Sequence, residues 1–226
     1  MALNLQAKGQ QTTAVQSVSE GNDVYVRAMR DGSLMTQSWI MSQALQGRLY
    51  CAQAGLLTTA ITWSATATND QTKPAMLLDV PLGTTVIPLE ISMYFEAFGT
   101  NALFEIAMLC GTGAVQAGGT AMTITNMRTD APYTSVCKGW SDVTGGTAPT
   151  ANISSFYASG TQLITTIASS DDASMRNTDL YKWSYTDSGY APIVKGAAQL
   201  LVTQGSQAGT GFGKIIYLEL PTSELL

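Results

Sequence analysis

From Thr85 to Phe98 the chain alternates apolar and polar residues almost without a break. Ile87, Leu89, Ile91, Met93, Phe95 and Ala97 fall on one face, and Glu90, Ser92, Tyr94 and Glu96 on the other. A period of two marks a β-strand, because successive side chains leave opposite faces of the pleated backbone. The segment predicts a long strand with one buried face. Gly99-Thr100-Asn101 follows with turn chemistry. Ala102, Phe104, Ile106, Met108 and Cys110 then alternate again, with Glu105 on the opposite face. Two such runs joined by a short polar link predict a hairpin.

Shorter apolar runs bounded by Gly, Pro, Asn and Asp recur along the rest of the chain. They predict strands over 23–29, 48–52, 60–63, 75–80, 119–127, 162–168, 179–185, 197–203 and 214–220. The glycine-rich GSQAGTGFG between the last two reads as a long hairpin loop. Helical candidates are few: residues 33–45 fit either an amphipathic helix or a strand and turn, and 153–159 fit a turn of helix. Residues 1–22 are polar, Gln/Thr-rich and without periodicity, so they read as an extended N-terminal arm. Residues 23–226 then form a single domain. Many short strands with turn signals between them predict an all-β fold, an antiparallel β-sandwich or jelly roll. No fixed-period repeat points to a propeller or solenoid.

Composition sharpens this picture. Only 12% of residues are charged, about half the usual 25%. The exterior must be built from hydroxyls, amides and small residues, or be covered by other copies. With no His in the chain, a Ser-His-Asp triad, a His-ligated zinc and a histidine pH switch are excluded. A net charge of −5 and a pI near 4.6 argue against nucleic acid as a partner, since phosphate binding needs clustered Lys and Arg. Arg27 and Arg30 are the nearest approach to a basic patch. No apolar run approaches the length of a membrane span, so no membrane partner is expected. The start, MALNLQAKGQQTTAV, has no apolar stretch of the secretory kind, which implies synthesis in the cytoplasm. Cys51, Cys110 and Cys137 lack metal-ligand spacing and read as reduced, buried thiols.

Candidate chemistry is sparse. Glu96 and Glu105 would approach each other across a tight hairpin, as a polysaccharide hydrolase requires of its acids, but a solvated strand face explains them more simply. Asp130 and Asp171-Asp172 lack the spacing of a calcium loop. Gly213-Lys214 ends a glycine-rich stretch, yet Ala208 and Ile215 break the phosphate-loop pattern. Asn152-Ile153-Ser154 fits a glycosylation acceptor. Tyr181, Trp183 and Tyr185 share one strand face; they are a core face, a protein interface or a ligand platform. Trp140 is a second aromatic of this kind. No catalytic, metal-binding or cofactor-binding residue is expected, and the chain is not expected to be an enzyme.

An uncharged arm, a Thr/Ala/Gly-rich β body, the segments VIPLEISMYFEAF and ALFEIAMLC, and the closing KIIYLELP together resemble virion proteins of tailed bacteriophages of jelly-roll type. The capsid decoration (cement) and head-fibre proteins are the nearest in kind. The resemblance implies a structural role: a homotrimer that binds the shell of the major capsid protein and stabilises it, located on the capsid surface. It equally admits a receptor-binding head that recognises a host glycan or protein, or a shell-forming jelly-roll subunit. An arm of about 20 residues would span about 70 Å when extended, enough to reach a neighbouring subunit.

Overall fold

A computed structural model describes residues 8–9, 27–28, 38–56, 58–67, 69–98, 103–113, 118–162, 179–205 and 207–224. Most of the expected arm, and Asp171-Asp172, lie outside these. In chain order the elements are β1 (Lys8–Gly9), β2 (Arg27–Ala28), α1 (Trp39–Leu45), β3 (Leu49–Ala54), β4 (Ile61–Trp63), β5 (Met76–Val80), β6 (Thr84–Phe98), β7 (Leu103–Thr112), β8 (Thr120–Ala121) and β9 (Thr123–Asn126). They continue with β10 (Lys138–Ser141), β11 (Ala151–Gln162), β12 (Asp179–Ser184), α2 (Tyr185–Ser188), β13 (Val194–Lys195), β14 (Ala198–Gly205), β15 (Gly209–Pro221) and a closing 3-10 turn over Thr222–Glu224.

The strands form an all-β sandwich. One sheet runs β11-β7-β14-β5-β10-β8; the other runs β12-β6-β15-β3-β9, with β13 beside β6 and β4 beside β15. All pairings within both sheets are antiparallel. Their inner faces share one core, in which Met76, Leu78, Phe104, Ile106, Met108, Leu200 and Val202 of the first sheet meet Trp63, Ile91, Met93, Phe95, Ile215 and Tyr217 of the second. Phe95 joins them: its ring lies 4.8 Å from Phe104, 5.2 Å from Trp63 and 5.9 Å from Tyr181.

The expected hairpin of β6 and β7 is not one. β6 pairs with β12, β13 and β15, whereas β7 pairs with β11 and β14 in the opposite sheet. The two strands lie in opposite sheets, and Phe95 and Phe104 meet edge-on across the core. Alternation says that each strand has a buried face; it does not say that the two are neighbours. The same correction applies to β14 and β15, which also lie in different sheets.

The phase of β6 also shifts along its length. Glu90 pairs with Ile216 and Pro88 with Tyr217, leaving Leu89 as an extra residue. This bulge brings Val86 and Pro88 inward before Ile91, Met93 and Phe95, while Ile87 and Leu89 leave the core face. A bulge likewise overturns the helical reading of 153–159. That stretch is part of β11, and the register jumps between Ser155 and Tyr157, so Phe156 and Tyr157 both pack against the core. Spaced three and four residues from Ile153, they imitate a helical face. Residues 39–45 are helical. Ser38 caps the helix by accepting the Met41 N–H at 3.2 Å, which suits a serine at that position.

β5 is buried on both faces because residues 142–150 cross the outer side of its sheet. Asp142 and Val143 donate backbone hydrogen bonds to Ala75 and Pro74 at 3.0 and 3.1 Å. Val143 then packs with Leu77, Leu109 and Leu201 in a second, smaller core.

The glycine-rich segment is strand from Gly209 onward. Gly209, Gly211 and Gly213 alternate with outward Thr210, Phe212 and Lys214, and their inward positions are buried. A Cβ on Gly213 would lie 2.5 Å from the Met76 sulfur, and one on Gly211 would lie 1.9 Å from the Tyr94 carbonyl oxygen. Glycine is used here for close approach, not for looping. Gly211→Ala lowers stability by about 1–3 kcal/mol, the usual range for overpacking. Gly145→Ala, with nothing within 4 Å, changes it by about 0.5 kcal/mol or less; urea midpoints measure both.

Candidate functional site

Of Tyr181, Trp183 and Tyr185, for which the sequence leaves a core face, an interface and a ligand platform all open, the first two are core residues, 3% and 2% exposed. Tyr181 packs on Phe104 at 5.6 Å, and Trp183 meets Phe156 edge-on at 5.0 Å. Tyr185 begins α2, half-buried against the same core. The face of β12 that reaches solvent is the other one, carrying Leu180 and Lys182. Trp140 is half-buried against the second core. Glu96 is exposed on one sheet, and Glu105 lies on the outer face of the other. The sandwich separates them, so the carboxylate pair that a hydrolase would need does not assemble, in keeping with the simpler reading of solvated strand faces. Asp130 is exposed and pairs with Arg128 at 2.8 Å. Asn152 is exposed on β11. Among the described residues no three His, Cys, Asp or Glu side chains gather as metal ligands, and no helix is long and apolar enough to cross a membrane.

A polar network lies near one end of β15. Ser135 Oγ is 2.8 Å from the Tyr217 hydroxyl and donates to Glu219 at 2.5 Å. Glu219 also accepts the Val136 N–H at 3.1 Å, and Ser135 Oγ accepts the Cys137 N–H at 3.1 Å. Burial pushes the Cys137 thiol far up, and neighbouring Glu219 adds to the effect; burial does the same to the Tyr217 phenol. Both are therefore neutral at physiological pH within this network. Its physical effect is to clasp residues 135–137 onto β15. Nearby, Arg48 grips Glu224 with two hydrogen bonds, one of them 2.8 Å. The hydrogen bond to Arg48 holds the Glu224 carboxyl below its usual range. Its contribution to stability is present above the ordinary carboxylate range and fades as pH falls through the lowered value.

The clasp and the ion pair frame an apolar surface at the β9 side of the sandwich. Arg128 donates to the Leu45 carbonyl at 2.8 Å. Asn126 donates to the carbonyls of Gly47 and Tyr133 at 2.7 and 3.0 Å. Leu45, Met127, Tyr133 and Val136 stand exposed on this scaffold, Tyr133 at 60%. Met41 lies one turn before Leu45 and is also exposed.

A second, unlike surface lies on the opposite side. There the sheets end in β11 and β12, joined through Phe156 and Trp183. Ile153, Tyr190 and Ile193 are exposed, Ile193 at 67%, and the Tyr190 hydroxyl donates to the Phe156 carbonyl at 3.1 Å. β11 is an edge strand without a single charged residue, and none occurs from 143 to 170. Natural edges usually carry Lys or another charge, or Pro, which discourages pairing. Sequence alternation missed both surfaces, because they are built from loops and strand ends. The one available signal was the long uncharged stretch.

No known protein family, no curated protein and no solved structure matches this chain. The three cysteines are unpaired. Burial raises the thiol pKa of Cys51 and Cys110 as well as that of Cys137. In the folded protein a thiol reagent at neutral pH therefore reacts slowly, first at Cys51 and last at Cys137, and all three react at once in guanidinium. Fast native labelling of Cys137, followed by mass spectrometry, would contradict this placement.

Proposed function

We propose that the chain is a structural component of a bacteriophage particle: a decoration protein that associates as a homotrimer and binds the shell of the major capsid protein. The observation that carries this reading is the pair of unlike apolar surfaces on opposite edges of the sandwich. Two different patches on one subunit join head to tail, and such contacts close into rings when the rotation permits. The Leu45–Met127–Tyr133–Val136 surface of one copy meets the Ile153–Tyr190–Ile193 surface of the next. Aromatic and aliphatic residues at the centre, with few Lys, Glu or Asp, are the usual makeup of a buried contact. Each standard interface removes about 800 Å² per partner from water, and a closed ring gives every subunit two of them. The sparse charge of the chain suits a protein whose exterior is largely covered. The absence of disulfides suits a particle component assembled in the cytoplasm and stabilised by burial between copies.

Light scattering after size-exclusion chromatography gives a mass about three times the 23.9 kDa of one chain, and the oligomer bands with assembled shells on a density gradient. Tyr133→Asp and Ile193→Asp each lower the mass to that of a single chain, with far-UV circular dichroism unchanged. A wild-type protein that stays monomeric at every concentration, or that never bands with shells, refutes the reading.

A further inference from the structure

The outer face of the second sheet, from β12 to β3, holds a groove of about 380 Å³. It is assembled from four strands that are not consecutive in sequence. Tyr94 of β6 and Phe212 of β15 are register partners, and their rings stack with centroids 4.9 Å apart. Leu180 of β12 extends this apolar wall. Beside it, Glu90 is held between two cations, Lys214 at 2.8 Å and Lys182 at 3.1 Å. Gln53 of β3 adds an amide.

This arrangement exceeds what a cross-strand ion pair needs. Burial alone would raise the Glu90 carboxyl; the hydrogen bonds and charges of Lys214 and Lys182 outweigh it and hold the group below its usual range. Glu90 stays ionised, so the cluster has two positive charges against one negative, in a chain whose net charge is −5. An ammonium has three donors, and each lysine gives Glu90 one oxygen's worth of contact. Both lysine side chains are partly exposed, 42% and 44%, so their remaining donors are open to a ligand that enters the groove.

We propose that the groove binds an acidic saccharide, a pyranose ring bearing a carboxylate. The apolar C–H face of the ring rests on Tyr94, Phe212 and Leu180, as sugar faces do on aromatic side chains. The sugar carboxylate takes the spare donors of Lys182 and Lys214, a charge-assisted contact. Glu90 and Gln53 take the hydroxyls. A few converging polar groups beside an apolar wall is the usual makeup of a small-ligand site. A phosphate dianion fits less well, because Glu90 would repel it at the distance that both lysines favour. This inference is independent of the assembly reading, since none of these residues belongs to the two edge surfaces.

The full-length protein is titrated with sialyllactose, digalacturonate and neutral lactose, read by calorimetry and by saturation-transfer NMR from aromatic protons to the sugar. At least one acidic probe binds with Kd of about 1 mM or tighter, more weakly as salt is added, and lactose binds at least about tenfold more weakly. Phe212→Ala and Lys214→Gln each lose about tenfold or more in affinity, with the thermal midpoint and oligomeric mass retained. Saturation transfer on the unaltered protein reports the site should either variant fail to fold. Equal binding of lactose, no binding of any probe up to about 10 mM, or full affinity in both folded variants overturns the proposal.

Discussion

The contact on which the rest of the molecule depends is the seating of Phe95 between the sheets. Its ring touches Trp63 and Tyr181 from its own sheet and Phe104 from the opposite one. Burying one such aromatic removes on the order of 200 Å² from water, and truncating one typically costs about 3–5 kcal/mol. Beside it β15 presents glycine: a Cβ on Gly211 would meet the Tyr94 carbonyl and the Phe95 Cα, and one on Gly213 would meet the Met76 sulfur. Bulk on β6 and its absence on β15 are two halves of one fit. The 13-residue β15 lies between β6 and β3 and carries this fit along much of the sheet.

That inner constraint fixes what the outside displays. Because Tyr181 and Trp183 are drawn into the core, β12 turns Leu180 and Lys182 outward. Because the inward positions of β15 are glycines, Phe212 and Lys214 alternate onto the outer face beside Tyr94 and Glu90. The groove is thus the reverse side of the core. The edge surfaces depend on a different device. Loops are clasped to β15 through Ser135 and Glu219, and to α1 and its following turn through Arg128 and Asn126, so apolar residues stand exposed on a fixed scaffold. With so few charges, the surface is solvated mainly by hydroxyls and amides. These tolerate burial against another protein better than carboxylates and ammoniums do, since an unpaired buried charge costs more than an unpaired buried hydroxyl.

Much of the fold was legible in the chain. The alternation around Ile91, Met93 and Phe95, and again around Phe104, Ile106 and Met108, marked the buried faces that the structure shows. The run over 75–80 marked a strand, but that it is covered on both faces came only from the structure. Failures occurred where a strand departs from strict period two. One extra residue at Leu89 reverses the faces before it, and another at Phe156 gave a strand the spacing of a helix. A bulge needs no signature residue, because it is set by how the partner strand lines up. The candidate sites were less legible: of the three readings open for Tyr181, Trp183 and Tyr185, the core face is the one the structure shows, and periodicity did not single out the outward Leu180 and Lys182.

What the sequence determined by itself was local: which segments are extended, which of their faces are apolar, how little charge is available and which chemistries histidine's absence removes. These follow from side-chain periodicity and composition, which do not depend on neighbours. What only the tertiary structure decided was partnership. β6 and β7 face each other instead of lying side by side, Glu96 and Glu105 end on opposite sheets, and Glu90, Lys182 and Lys214 converge from three strands. Backbone hydrogen bonds are the same for every residue pair, so alternation cannot select a strand's neighbour. That choice is made when the two apolar faces close on each other and exclude water.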